Sequence, residues 1–120
     1  MSRKKKDPLL MAQMCARLSI VMDMLGQSDT WISTQLGYTN QTTLSQMRRG
    51  MTFPDVEKLA IFGQLVVAGG ISPNLHWVLT GFGCPFVTND RKSNSALLAL
   101  NELAKLKYEA SGITSAPKLA

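Results

Sequence analysis

Residues 28–50, SDTWISTQLGYTNQTTLSQMRRG, constrain the fold more than any other stretch of the chain. Ser28 can answer free backbone N–H groups at a helix start, and Asp29 sits at that helix's positive end. Trp31, Ile32 and Leu36 give the helix an apolar face, and Gly37 stops it, as a residue that accepts positive φ does. Tyr38, Thr39 and Asn40 form a connection. A second helix is expected over residues 41–49, with Leu44 and Met47 inward and Gly50 ending it. The segment reads as two short helices around a glycine turn.

The flanking sequence continues in helices. Pro8 suits a first helical position, and Leu10, Met14, Leu18, Val21 and Leu25 follow at helical spacings up to Gly26. A second apolar line, Met11, Cys15 and Met22, implies burial on more than one side. A fourth helix is expected to begin near Pro54 and end at Gly69-Gly70, burying Val56, Leu59, Ala60, Phe62, Val66 and Val67. Ser72-Pro73 marks the start of a short fifth helix closed by Gly81, and residues 82–92 read as a loop. A sixth helix starts at Ser93 or Ser95, with Leu97, Leu98, Leu100, Leu103 and Leu106 on its apolar side. With no strand pair and no internal repeat expected, the fold class is all-α.

Composition narrows the function classes. A chain of 120 residues is the size of one domain. No apolar run reaches the ~20 residues of a membrane helix. The basic start is followed by a stretch broken by Gln13, Arg17 and Asp23, unlike a secretory signal, so no membrane association and a cytoplasmic location are expected. Cys15 and Cys84 make no disulfide framework, which fits a reducing compartment. His76 is the single histidine, and one His with two distant Cys supplies neither a zinc site nor a nucleophile-base-orienter triad. Gly69-Gly70 lacks the Lys-Ser/Thr of a phosphate loop. No catalysis, cofactor, metal or small-molecule ligand is therefore expected.

The net charge of +5 is uneven: residues 1–50 carry seven Lys/Arg against three Asp, and residues 51–120 carry six against five Asp/Glu. A positive N-terminal half suits a polyanion. Gln41, Thr42, Ser45 and Gln46 fall at i, i+1, i+4 and i+5, on one face of a helix. Gln can pair bidentately with adenine, Ser or Thr can bond several base edges, and a Thr methyl can meet a thymine methyl. Between Thr30 and Met47 there is no formal charge, whereas ordinary surface helices are rich in Glu and Lys. Arg48 and Arg49 follow as flanking cations for phosphate, and Arg3, Lys4, Lys5 and Lys6 could form an arm along a duplex.

Two stretches resemble the lambda-repressor-like, Cro-type helix-turn-helix regulators of bacteria and phages. One is Ser33 and Gly37 followed by Leu44 and Arg49-Gly50; the other is LHWVLTG, residues 75–81, similar to a closing helix common in the family's repressors. Together they cover roughly residues 9–83. Three departures stand out: a turn one residue longer than usual, Ser33 where the family has Ala, and Asp29 where it commonly has Gln near phosphate or base. The resemblance implies a five-helix DNA-binding domain over residues 8–83, after a basic disordered arm at 1–7. A loop and dimerisation helix at 84–110 and a flexible tail at 111–120 complete the chain. It implies base contacts from Gln41, Thr42, Ser45 and Gln46, with phosphate contacts from Ser28, Thr30, Tyr38, Thr39, Asn40, Thr43, Arg48 and Arg49. Leu97, Leu100 and Leu103 are expected to join two subunits, the alternative being that they cover the back of the same domain.

The function these features imply is a sequence-specific repressor of phage or mobile-element type. As a homodimer on a palindromic double-stranded operator, it would block polymerase at an overlapping promoter. An antitoxin that binds both DNA and a toxin, and a protein-interaction module that uses the fold without DNA, are the alternatives.

Overall fold

A computed structural model describes residues 7–66, 70–88 and 94–112 of the chain. Among these residues the protein is mostly helical: α1 (Pro8–Met24), α2 (Asp29–Leu36), α3 (Thr42–Arg48), α4 (Val56–Gly63), α5 (Leu75–Thr80) and α6 (Asn94–Ala110), with strands β1 (Ile71–Pro73) and β2 (Phe86–Thr88). No single helix there is long and apolar enough to cross a membrane.

Helix α1 is the central element. Asp7 caps it, its carboxylate accepting from the N–H groups of Leu9 and Leu10, so the last residue of the expected arm belongs to the helix cap. The rest of that arm, and the tail from residue 113, lie outside the described residues. The helix packs against α3, α5 and α6. That surrounding contact explains its broad apolar surface, with Cys15, Leu18, Ile20, Val21 and Met22 all buried. The Cys15 thiol donates to the carbonyl of Thr52 at 3.3 Å, and burial pushes its pKa up. Cys84 is exposed, and the two cysteines are unpaired.

Helix α4 differs from its expected form. Asp55 is the capping residue, accepting from the N–H of Lys58, so the helix begins just after Pro54, and it stops at Gly63 rather than at Gly69-Gly70. Only Phe62 is fully buried on it; Val56 is 80% exposed, and Val66, beyond the helix end, is 60% exposed. Gly63 has a packing reason, because a Cβ there would lie 3.0 Å from Leu75.

The expectation of no strand pair is overturned. β1 and β2 are antiparallel, with Ile71 opposite Thr88, Ser72 opposite Val87 and Pro73 opposite Phe86. Ser72-Pro73 belongs to β1, and the helix start falls at Asn74, whose side chain accepts from the N–H of His76. Three-residue strands containing a proline leave almost no alternating pattern in sequence. The hairpin also carries packing across residue 83, where the five-helix unit was expected to end.

Helix α6 seals this region. The Asn101 side chain is buried and bonds both backbone polar groups of Phe86, accepting from its N–H at 2.7 Å and donating to its carbonyl at 3.2 Å. Arg17, buried on α1, donates to the carbonyls of Val78 and Leu79 at 2.8 and 3.1 Å and to the Tyr108 hydroxyl at 2.7 Å. It thereby places positive charge at the negative end of α5. The Tyr108 ring meets Trp77 edge-on, with centroids 5.6 Å apart. The three leucines of the expected dimer contact divide here: Leu97 and Leu100 are partly buried against the chain's own core, while Leu103 is exposed. The inward positions are Leu97, Asn101, Ala104 and Tyr108, a line that a search for leucines alone does not find.

Candidate nucleic-acid interface

The α2–α3 segment is assembled largely by local bonds. Ser28 accepts from the N–H of Trp31 at 3.1 Å, so its hydroxyl serves as the helix cap. Gly37 takes φ +88°, and the N–H groups of Gly37 and Tyr38 return to the carbonyls of Thr34 and Ser33. This is the left-handed glycine closure that satisfies the last carbonyls of a helix. Gly50 at φ +78° ends α3 in the same manner, with Gly50 and Met51 bonding back to Met47 and Gln46. Between the helices, the Asn40 side chain accepts from the N–H of Thr42 at 2.9 Å and sets the start of α3.

Leu44 and Met47 are buried, which fixes the rotation of α3. Thr42 and Ser45 are exposed and Gln46 is half-buried on the side of α3 turned from Leu44 and Met47, and Gln41 is exposed. Gln41 occupies the position before the first turn rather than a helical one. Arg49 follows on that same face and is exposed. Of the remaining expected phosphate contacts, Thr30, Thr39 and Asn40 are exposed and Tyr38 and Thr43 are half-buried.

Arg48 is placed differently from its neighbour. Its guanidinium bonds Asp29 through both Nε and Nη2, at 3.1 and 2.7 Å, and Nη1 reaches Asp23 at 2.7 Å and the Ser19 hydroxyl at 2.8 Å. The hydrogen bond with Asp29, with further support from Asp23, raises its pKa despite partial burial. With these donors occupied inside the protein, Arg48 is a brace joining α3 to α1 and α2 rather than a free cation for phosphate. The same pairing accounts for Asp29, whose carboxylate would otherwise repel a polyanion. It is neutralised by Arg48.

A cation missed in the sequence stands beside the turn. Lys58, on α4, lies 5.0 Å from the centre of the Tyr38 ring, and its Nζ comes within 3.1 Å of where a Gly37 Cβ would be. Burial, and then Asp55, push the Tyr38 hydroxyl pKa up, which keeps it a protonated donor. No local signal ties Lys58 to the segment, because the contact depends on how α4 docks against α2. Ser33 is buried where α2 meets its neighbours, and its hydroxyl has no hydrogen-bond partner.

Among the described residues, no three His, Cys, Asp or Glu side chains gather as a metal-binding group. The basic residues 3–6 lie outside the described residues. Comparison of the chain with protein families, curated proteins and solved structures finds no match.

Proposed function

We propose that the protein is a sequence-specific DNA-binding repressor of the lambda-repressor-like helix-turn-helix type. It acts as a homodimer on a palindromic operator of a phage or mobile element. The observation that carries this reading is the outward face of α3. Gln41, Thr42, Ser45 and Gln46 offer uncharged hydrogen-bonding groups together and Arg49 follows them, while the core holds Leu44 and Met47. Uncharged donors and acceptors suit base edges in a major groove, and the flanking cation suits the backbone. Ser28, Thr30, Thr39 and Asn40 are exposed and Thr43 half-buried in the same segment, and Lys58 lies against Tyr38 at the turn.

The test is selection of bound duplexes from a random DNA pool with the full chain, followed by titration at several salt concentrations. A site with two-fold symmetry and half-sites about 34 Å apart is expected to be enriched. Gln46→Ala should cost about 1–3 kcal/mol on that site and little on scrambled DNA. No enrichment and no salt-dependent binding would return α3 to the protein-interaction alternative.

A further inference from the structure

Helix α6 carries two apolar lines on nearly opposite sides. Leu97, Asn101, Ala104 and Tyr108, at spacings of four, three and four, face the chain's own core. Ala96, Ala99, Leu103, Leu106 and Ala110, at spacings of three, four, three and four, are all exposed, Leu103 at 49% and Leu106 at 53%. The second line has the period of a coiled-coil seam, with Ala96, Leu103 and Ala110 at a positions and Ala99 and Leu106 at d. Alanines toward both ends allow close approach of a second helix.

We propose that this outer line pairs, in parallel, with α6 of a second copy of the chain. The charges flanking the seam select that occupant and its direction. Glu102 and Glu109 fall at g positions and Lys107 at an e position. In a parallel pair a g residue faces the e residue five positions later on the other helix. Glu102 of each copy therefore meets Lys107 of the other, twice by symmetry. An antiparallel pair overlapping along the whole seam would set Glu102 against Glu109 of the other copy and leave Lys107 facing Leu100, with no carboxylate opposite it. The seam spans only about two heptads, which would be marginal for free peptides. Here α6 is already ordered by the Asn101–Phe86 and Tyr108–Arg17 bonds, so pairing bears no helix-nucleation cost. The inference rests on the homodimer in the proposed function and not on DNA as the ligand.

Sedimentation equilibrium of the full chain tests it. The wild type should show twice the chain mass, and Leu103→Glu or Leu106→Glu should each give a monomer that keeps the wild-type circular dichroism spectrum and a cooperative thermal melt. Glu102→Lys should weaken pairing roughly three- to thirtyfold, and adding Lys107→Glu should restore it. A wild type that stays monomeric at high micromolar concentration, or a Leu103→Glu variant that stays dimeric, overturns the pairing. Tighter association of Glu102→Lys overturns the parallel direction. Gln46→Ala should leave the mass unchanged, so lost site recognition in an intact dimer faults the DNA assignment alone.

Discussion

The α2–α3 segment and the β1-to-α6 region are held together by opposite means. In the first, most bonds that set the shape close within a few residues: Ser28 to Trp31, Asn40 to Thr42, and the backbone returns at Gly37 and Gly50. In the second, the decisive bonds join residues far apart in the chain. Arg17 reaches Val78 and Tyr108 across 61 and 91 positions, and Asn101 reaches Phe86 across 15. A locally closed segment can change its outward side chains while keeping its shape. A region closed by remote side chains is complete only when the whole chain is present, and it has few interchangeable parts. Arg48 links the two regimes, carrying a long-range ion pair into the locally built segment.

The largest effect should come from the remote side. Arg17→Met keeps much of the buried volume but leaves the Val78 and Leu79 carbonyls and the Tyr108 hydroxyl without their donor. A loss of about 3 kcal/mol is expected by urea unfolding, since buried acceptors then lose both water and partner. A loss below roughly 1 kcal/mol would mean that the region is not held as the contrast requires. Next come the adjacent arginines. Arg48→Ala should cost about 1 kcal/mol, a value kept small because Asp23 and Asp29 remain accessible to water. Arg49→Ala should change stability by less than about 0.5 kcal/mol. On DNA the order reverses: Arg49→Ala should reduce the log–log salt slope by ~0.9 per subunit, and Arg48→Ala should leave it unchanged. Equal salt slopes for the two variants would erase the distinction between brace and contact. The last effect is a gain. Ser33→Ala removes a buried hydroxyl that has no partner and should raise stability by a few tenths to about 1 kcal/mol in thermal or urea unfolding.

The same contrast governs what the sequence made legible. The start at Pro8, the cap at Ser28 and the stops at Gly37, Gly50 and Gly81 rest on local chemistry, and the helices at those positions follow the expected order. The outward placement of Gln41, Thr42 and Ser45 follows from Leu44 and Met47, two apolar residues at helical spacing. Which of Arg48 and Arg49 turns inward depends on carboxylates 19 and 25 positions away. Lys58 beside Tyr38 depends on helix docking in the same way. In α6 the leucines looked like one face, whereas Leu97 and Leu103 belong to different lines. The core there prefers Asn101, Ala104 and Tyr108, chosen by the hydrogen bonds and space available and not by hydrophobicity. Val56 and Val66 show the converse, apolar residues left exposed among the described residues.

The clasp of Asn101 on Phe86 has a consequence for how this protein avoids unwanted assembly. A two-stranded sheet has two open edges, and an open edge is a template on which further strands can grow. At Phe86 the outward N–H and carbonyl are both taken by one amide side chain, which stands where the backbone of a third strand would lie. Opposite it on β1 is Pro73, which has no N–H to offer. The hairpin is thus blunted at Phe86 by a single residue from a helix, and growth by strand addition there would first have to unseat α6 from the core.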